Sequence, residues 1–314
     1  MQGDFLSKKL LSDLIKSEAL KAGFLDCGIS RARHLPKDEK RMEIWLAEGK
    51  NAGMSYLEKN KMKRYNPSLL VDGAKSVISV LYNYFPSVLM QTEDSYKIAK
   101  YAYGNDYHYV MKNKLASLLN IIESRTGKIN SRIFVDSAPV LDRAWARESG
   151  LGYIGKNTAL INKKAGSYFF IGHLIIDYEL DYKNKPVANS CGTCTKCVQA
   201  CPTDALEPFK LDANKCISYL TIENRGEIPA GFKGKFENYI FGCDICMDIC
   251  PWNRFAKPNT ETAFEPKQEL LEMRKQDWIN LDKPKFNSLF KGTALERSGF
   301  KGLKRNIAFV ADNE

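Results

Sequence analysis

The chain has 314 residues, 44% hydrophobic and 27% charged, with a formal net charge of +10; this excludes a disordered polyelectrolyte and allows one large domain or two to three smaller ones. No stretch approaches the roughly 20 apolar residues that span a bilayer, and the start MQGDFLSKKLLSDLIKSEALKAGF mixes charge into its apolar positions, so it reads as an amphipathic helix rather than a signal peptide and the expected location is the cytoplasm. The positive surplus fits a polyanionic partner, nucleic acid first, although no run is basic enough to be a motif and solvated lysine accounts for it equally well.

In chain order, Phe5, Leu6, Leu10, Leu11, Leu14 and Ile15 stand at helical spacing and predict a helix over residues 5–22. FLDCGIS (24–30) follows as a short strand, with Cys27 a small buried residue. Pro36 opens a helix to about Leu46. SVISVLYNYF (76–85) is a continuous apolar run, as expected of a buried strand. A helix over 107–124 and a strand SRIFVD (131–136) come next. Asp136 or Ser137 can cap a helix that has Pro139 in its first turn and Gly150 as its stop. SYFFIGHLIID (167–177) is a further strand, in which His173 reads as a satisfied core histidine. This alternation implies a mixed α/β (α+β) domain around one central sheet. DYKNKPVANS (181–190) reads as a linker; after PWNRF the chain is polar and Pro-punctuated to about 283, then helical.

Eight of the nine cysteines lie between Cys191 and Cys250. Disulfides are disfavoured in a reducing cytosol, so such a group points to metal. Cys191, Cys194, Cys197 and Cys201-Pro202 spell C-x-x-C-x-x-C-x-x-x-C-P, the bacterial ferredoxin run, in which three thiolates bind one cluster and the fourth reaches the other. A second half follows as Cys216, then Cys243-x-x-Cys246-x-x-x-Cys250-Pro251. The pattern predicts two [4Fe–4S] clusters, one on Cys191, Cys194, Cys197 and Cys250, the other on Cys201, Cys216, Cys243 and Cys246. Two Cys₄ zinc sites would also use eight thiolates, but zinc needs neither the third cysteine at the same step nor the repeated Cys-Pro. Cys216 stands 27 residues before Cys243, a departure from ferredoxin that leaves an insert able to pack against the amino-terminal domain.

Two further patterns compete for attention. Gly150-Leu-Gly152-Tyr-Ile-Gly155 matches a dinucleotide fingerprint and, with Lys156, most of a P-loop. Both require a strand before and a helix after; here a helix precedes and TALIN looks extended, so the expectation is a glycine-rich turn or a backbone approached by a flat cofactor. Asp106-Tyr-His108 begins like a cobalt-ligating D-x-H-x-x-G signature, but Met111 replaces its glycine.

VDSAPVLDRAWARESGLGYIGKN (135–157), GSYFFIG, CGTCTKCVQACPTDAL, CISYLTIE, FGCDICMDICPWN and YAYGNDYHYVM (101–111) together resemble the epoxyqueuosine reductase family over nearly the whole chain. The resemblance implies queuosine biosynthesis: reduction of epoxyqueuosine to queuosine at the tRNA wobble position. It also implies cobalamin, reduced from cob(II)alamin to cob(I)alamin by the two clusters, which an external one-electron donor feeds. On that basis Asp136 is the proton donor, and cobalamin contacts fall near Tyr101, Tyr103, Asp136, Leu160, Ile171 and Ser218, with Gly152 and Gly155 allowing close approach to the corrin. The implied organisation is a cobalamin-binding catalytic domain (1–182), a ferredoxin-like domain (183–258) and a short, truncated HEAT-like helical segment (259–314). Lys301, Lys304 and Arg305 are candidate phosphate contacts for the anticodon loop of tRNA. A monomer without membrane association is expected. The rivals are a reductive dehalogenase-like corrinoid enzyme and a non-catalytic ferredoxin-type electron carrier.

Overall fold

The computed structural model describes residues 7–90 and 94–312. Phe5 and Leu6 of the expected first helix lie outside the described residues. The helix itself runs Lys8–Lys21, capped by the Ser7 hydroxyl, which accepts from the Leu10 N–H. Its buried positions Leu11, Ile15 and Ala19 form one stripe, four residues apart.

Four strands form the central sheet: β1 (Asp26–Arg31), β2 (Ser76–Asn83), β3 (Ser131–Phe134) and β4 (Phe169–Ile176), in the order β1-β2-β4-β3 with every pairing antiparallel. The mixed α/β expectation holds, on the α+β side. The two apolar runs in the sequence are the two central strands, because only a strand covered on both faces can bury every residue. Alternate residues divide between the faces. Ile78, Val80, Leu174 and Ile176 pack under the helices Lys8–Lys21 and Tyr107–Thr126, while Val77, Phe134 and Ile175 pack with Trp145 of the helix Asp142–Glu148. Cys27 is buried among the first group, and burial pushes its thiol up to about 12, as an inert core residue.

The second face also carries a buried polar row. Ser79, Ser149 and Ser30 are hydrogen-bonded in series, and His173 Nδ1 lies 3.0 Å from the Ser79 hydroxyl. His173 is fully buried but satisfied at that nitrogen only: Nε2 is 3.3 Å from Asp142 and poorly aligned for a hydrogen bond.

The helix expected from residue 136 or 137 begins at Asp142 instead, with Leu141 at its N-cap. Ala138 precedes a proline and is kept out of the helical region; the 137–141 segment makes tight turns (Ser137 N–H to Val135 O, Val140 N–H to Ala138 O) before helix can start. The stop at the glycine is as expected: the helix ends at Glu148 and Gly150 has φ +77°.

The insert between Cys216 and Cys243 packs against the amino-terminal part. Tyr239–Phe241 pairs in parallel with Lys97–Ile98, and Ile217, Leu220, Ile240 and Phe241 share a core with Tyr96 and Tyr103. The carboxy-terminal helices enter the same core through Trp278, Phe286, Phe290, Leu303 and Ile307. Helix begins earlier than the sequence suggested, with Gln268–Glu272 and Lys275–Ile279 ahead of Lys283–Phe290. Segments of five residues are too short to display a helical period.

Candidate active site and cluster-binding loops

The cysteines are carried by two similar loops. Each wraps a one-turn helix, Lys196–Gln199 and Ile245–Asp248, and these two helices pack together. The electrostatic neighbours of Cys197 are Cys250 and Cys191, and those of Cys250 are Cys191 and Cys194. Cys243 neighbours Cys216 and Cys201. Cys246 neighbours Cys243 and Cys216, and also Cys197 of the other set, so the two sets adjoin. Cys250 thus lies toward Cys191, Cys194 and Cys197, and Cys201 toward Cys216 and Cys243.

The sulfurs suit an anionic cluster. Backbone N–H groups point at them: Ser218 and Tyr219 at Cys216, Ile245 at Cys243, Trp252 and Asn253 at Cys250, and Ala205 at Cys201, at 3.4 Å. Such donors stabilise thiolates and tune clusters. Burial first, and the neighbouring thiols with it, push the thiols of Cys216, Cys243 and Cys246 up; a bound metal reverses that preference by taking them as thiolates. Among the described residues no group of three His, Cys, Asp or Glu side chains is drawn close enough for a single ion. A four-iron cube separates its ligands more widely than one ion does.

Asp136 sits at the end of β3 with φ +54°, in the left-handed region that non-glycine residues rarely occupy. The next helix begins only at Asp142, with Leu141 as its N-cap, so Asp136 is no helix cap. Its carboxylate accepts a 2.6 Å hydrogen bond from the Tyr107 hydroxyl, and His108 Nε2 stands 3.7 Å away. Tyr107 is stacked on Phe170 at 4.1 Å and on His108 at 4.3 Å. Asp106 caps the helix Tyr107–Thr126, accepting from the His108 N–H at 2.9 Å and lying 2.7 Å from its Nδ1. One helix N-terminus thus aims a phenol and an imidazole at Asp136. The sequence reading missed this pair; its signal was the Asp-Tyr-His run, considered only for cobalt.

Near this carboxylate Arg64 Nε is buried without a hydrogen bond, and His108 Nε2 and Asp142 Oδ1 are buried with only ion-pair contacts, to Asp136 at 3.7 Å and to His173 at 3.3 Å. Burial pushes the Asp142 carboxyl up and the Arg64 and Arg143 guanidiniums down. A buried donor without a hydrogen bond, such as Arg64 Nε, calls for an acceptor, and the amide oxygens that rim a macrocycle such as cobalamin would fit it.

The other expected cofactor contacts divide. Leu160 and Ile171 share one small cluster with Leu81 and Phe169. Tyr101 packs edge-on against Tyr107 and lies within the fields of both Asp136 and Asp244, between the carboxylate and a cluster loop. Ser218 lies against Cys216 through its N–H and hydroxyl. Tyr103 is apart from them, buried in the core shared with the carboxy-terminal helices. Gly152 and Gly155 are required by the hairpin itself: a Cβ at Gly152 would meet Ile161 O at 2.4 Å, and one at Gly155 would meet Ile161 Cδ1 at 2.5 Å. That hairpin, Tyr153–Ile154 with Leu160–Ile161, follows a helix and precedes none, so the nucleotide patterns lack their context. Of the candidate phosphate contacts, Lys304 donates to Ile279 O, and Arg305 to the carbonyls of Leu220, Asn224 and Gly226. Both are engaged within the fold, and Lys301 alone of the three is exposed.

Comparison with known proteins supports the same reading. Residues 64–137 match the family described as "Epoxyqueuosine reductase QueG, DUF1730", and residues 190–253 match the "4Fe-4S double cluster binding domain". The epoxyqueuosine reductase of Cellulophaga algicola is 50% identical over 305 residues, 97% of this chain and 99% of that protein. That of Escherichia coli is 38% identical over 96% of this chain and 81% of its own length. The structure of epoxyqueuosine reductase from Streptococcus thermophilus superposes with a TM-score of 0.86 at 31% identity, over 96% of this chain and 80% of that one. An epoxyqueuosine reductase solved with an epoxyqueuosine-modified tRNA-Tyr stem loop gives 0.90 at 27% identity, over 98% and 82%. Such whole-chain identity favours neither a dehalogenase nor a plain electron carrier. With two ferredoxin-type cysteine loops set beside a tyrosine-held aspartate, the chain belongs to the epoxyqueuosine reductase family.

Proposed function

We propose that this protein reduces epoxyqueuosine to queuosine in the anticodon loop of tRNA, with Asp136 supplying a proton to the departing epoxide oxygen. The observation that carries the assignment of Asp136 is its strained backbone. A φ of +54° costs on the order of 1 kcal/mol or more and turns the carboxylate toward Tyr107 and His108 instead of into a cap. Deoxygenation of an epoxide to an alkene consumes two electrons and two protons and releases water. Cobalamin, when bound, supplies the strongly reducing metal centre that this chemistry needs.

The chain's own residues position, protonate and feed. Tyr107 donates to one Asp136 oxygen and fixes the carboxylate's rotamer, leaving the other oxygen for the proton that moves. His108, held by Asp106, stands 3.7 Å from Oδ2, the oxygen that already accepts from Tyr107, and so helps to hold the carboxylate rather than to carry the moving proton. Arg64, Leu160 and Ile171 would hold the macrocycle and its amides. The Cys191 and Cys201 sets would hold the two clusters, which would supply electrons one at a time from an external donor, and Tyr101 packs edge-on against Tyr107 on the Asp136 side. Residues 1–182 serve as the catalytic unit, 183–258 as the electron-transfer unit and 259–314 as a helical buttress. The net charge of +10 attracts the tRNA backbone. No helix among the described residues is long and apolar enough to cross a membrane, and the protein works as a cytoplasmic monomer.

The test is anaerobic turnover of tRNA bearing epoxyqueuosine, with and without added cobalamin, on wild type and Asp136→Asn. Cobalamin-dependent formation of queuosine is expected, lowered by about 10²–10⁴ in the variant. Undiminished turnover by the variant removes the acid assignment; turnover without any corrinoid removes the cofactor.

A further inference from the structure

The Gly-Lys-Asn turn of the small hairpin, so like a phosphate loop in sequence, is engaged with the cluster loops. Lys156 Nζ donates to Gly192 O at 2.8 Å and to Cys194 O at 3.0 Å, both on the loop that carries Cys191, Cys194 and Cys197. Its backbone carbonyl accepts from Phe209 N–H at 3.0 Å, which closes the turn against the same unit. Asn157 Nδ2 donates to Cys246 O at 3.2 Å, on the other cluster's loop. Thr158, at φ +62°, offers its carbonyl and its hydroxyl to Arg143, beside Asp142. One four-residue turn therefore touches both cluster loops and the helix next to the catalytic aspartate.

The ammonium is unusual in its company. Among the described residues it has no carboxylate partner; both of its hydrogen bonds go to neutral carbonyls. These two carbonyls fix the charge against the loop that carries Cys191, Cys194 and Cys197. A four-thiolate cluster held on that loop would be an anion and would gain one more negative charge on reduction. A fixed cation beside it stabilises the reduced form more than the oxidised form.

We propose that Lys156 is the counter-charge of the cluster held by Cys191, Cys194, Cys197 and Cys250, and that it raises this cluster's reduction potential relative to the neighbouring one. This rests on the two-cluster reading above. Lys156 is a positioning residue: it touches neither substrate nor the reacting atoms.

The experiment is an EPR-monitored redox titration of the anaerobically purified full chain as wild type, Lys156→Gln and Lys156→Arg. Gln can still donate to a carbonyl but carries no charge, whereas Arg keeps the charge. In K156Q one of two midpoints is expected to fall, so that at fixed potential its reduced-to-oxidised ratio drops roughly tenfold, about 59 mV for a one-electron couple. K156R is expected to stay near wild type. Unmoved midpoints in K156Q, or an equal shift in K156R, overturn the proposal. Should K156Q lose iron altogether, K156R must keep both the iron and the wild-type midpoint, and its failure to do so overturns the proposal as well. Iron and acid-labile sulfide in the wild type report separately on whether the clusters exist.

Discussion

Tyr107→Phe removes one oxygen atom and nothing else from the active site. The ring remains stacked on Phe170 at 4.1 Å, within 7° of parallel, and on His108, so packing is preserved. What is lost is the 2.6 Å hydrogen bond to Asp136 Oδ2. A hydrogen bond to a charged group contributes about 1.5–3 kcal/mol. The Asp136 side chain is 65% exposed, so water replaces part of that interaction and about 1 kcal/mol is left. That corresponds to about a fivefold fall in kcat, with KM for the modified tRNA unchanged because Tyr107 positions the acid rather than the nucleic acid. Single-turnover assays on epoxyqueuosine-bearing tRNA measure the first quantity and a substrate series the second; the midpoint of thermal unfolding should stay within about 2 °C of wild type. A loss as large as that of D136N would mean that the phenol itself transfers a proton, and no loss at all would mean that the hydrogen bond does not hold the carboxylate. Either result refutes the reasoning.

Exchange of ligands between the two cysteine halves makes an asymmetric prediction: Cys250→Ala should remove the cluster of the first three cysteines, and Cys201→Ala that of Cys216, Cys243 and Cys246, each about halving iron per chain by elemental analysis. Arg305→Ala leaves the carbonyls of Leu220, Asn224 and Gly226 without this donor and should destabilise the fold by about 1–3 kcal/mol, read by denaturant unfolding, with little change in tRNA affinity. Affinity for tRNA should fall steeply with salt, in a linear log–log plot, as phosphate contacts release counterions; filter binding across a salt series would expose a flat response. Gly152→Ala places a methyl against Ile161 O at 2.4 Å and should cost about 1–3 kcal/mol of stability, read as a lowered thermal midpoint even without cofactors.

The sequence alone determined the parts governed by local spacing. Thiolates that share a cube must turn inward at fixed steps, so the cysteine run pointed to two clusters, with which the double-cluster match over residues 190–253 agrees. Strands covered on both faces must be apolar throughout, so β2 and β4 stood out. Tertiary structure decided what depends on distant partners. Asp136 also suited a helix N-cap in sequence, with Pro139 three residues on; the turns before Asp142 and the hydroxyl of Tyr107, 29 residues earlier, give its carboxylate another partner. Lys304 and Arg305 read as free cations until folding brought carbonyls to them. Lys156 sat in a phosphate-loop pattern, and the absence of a following helix sent its charge to a cluster loop instead. In each case the deciding partner lies far along the chain, where side-chain identity carries no record of which neighbour folding will supply.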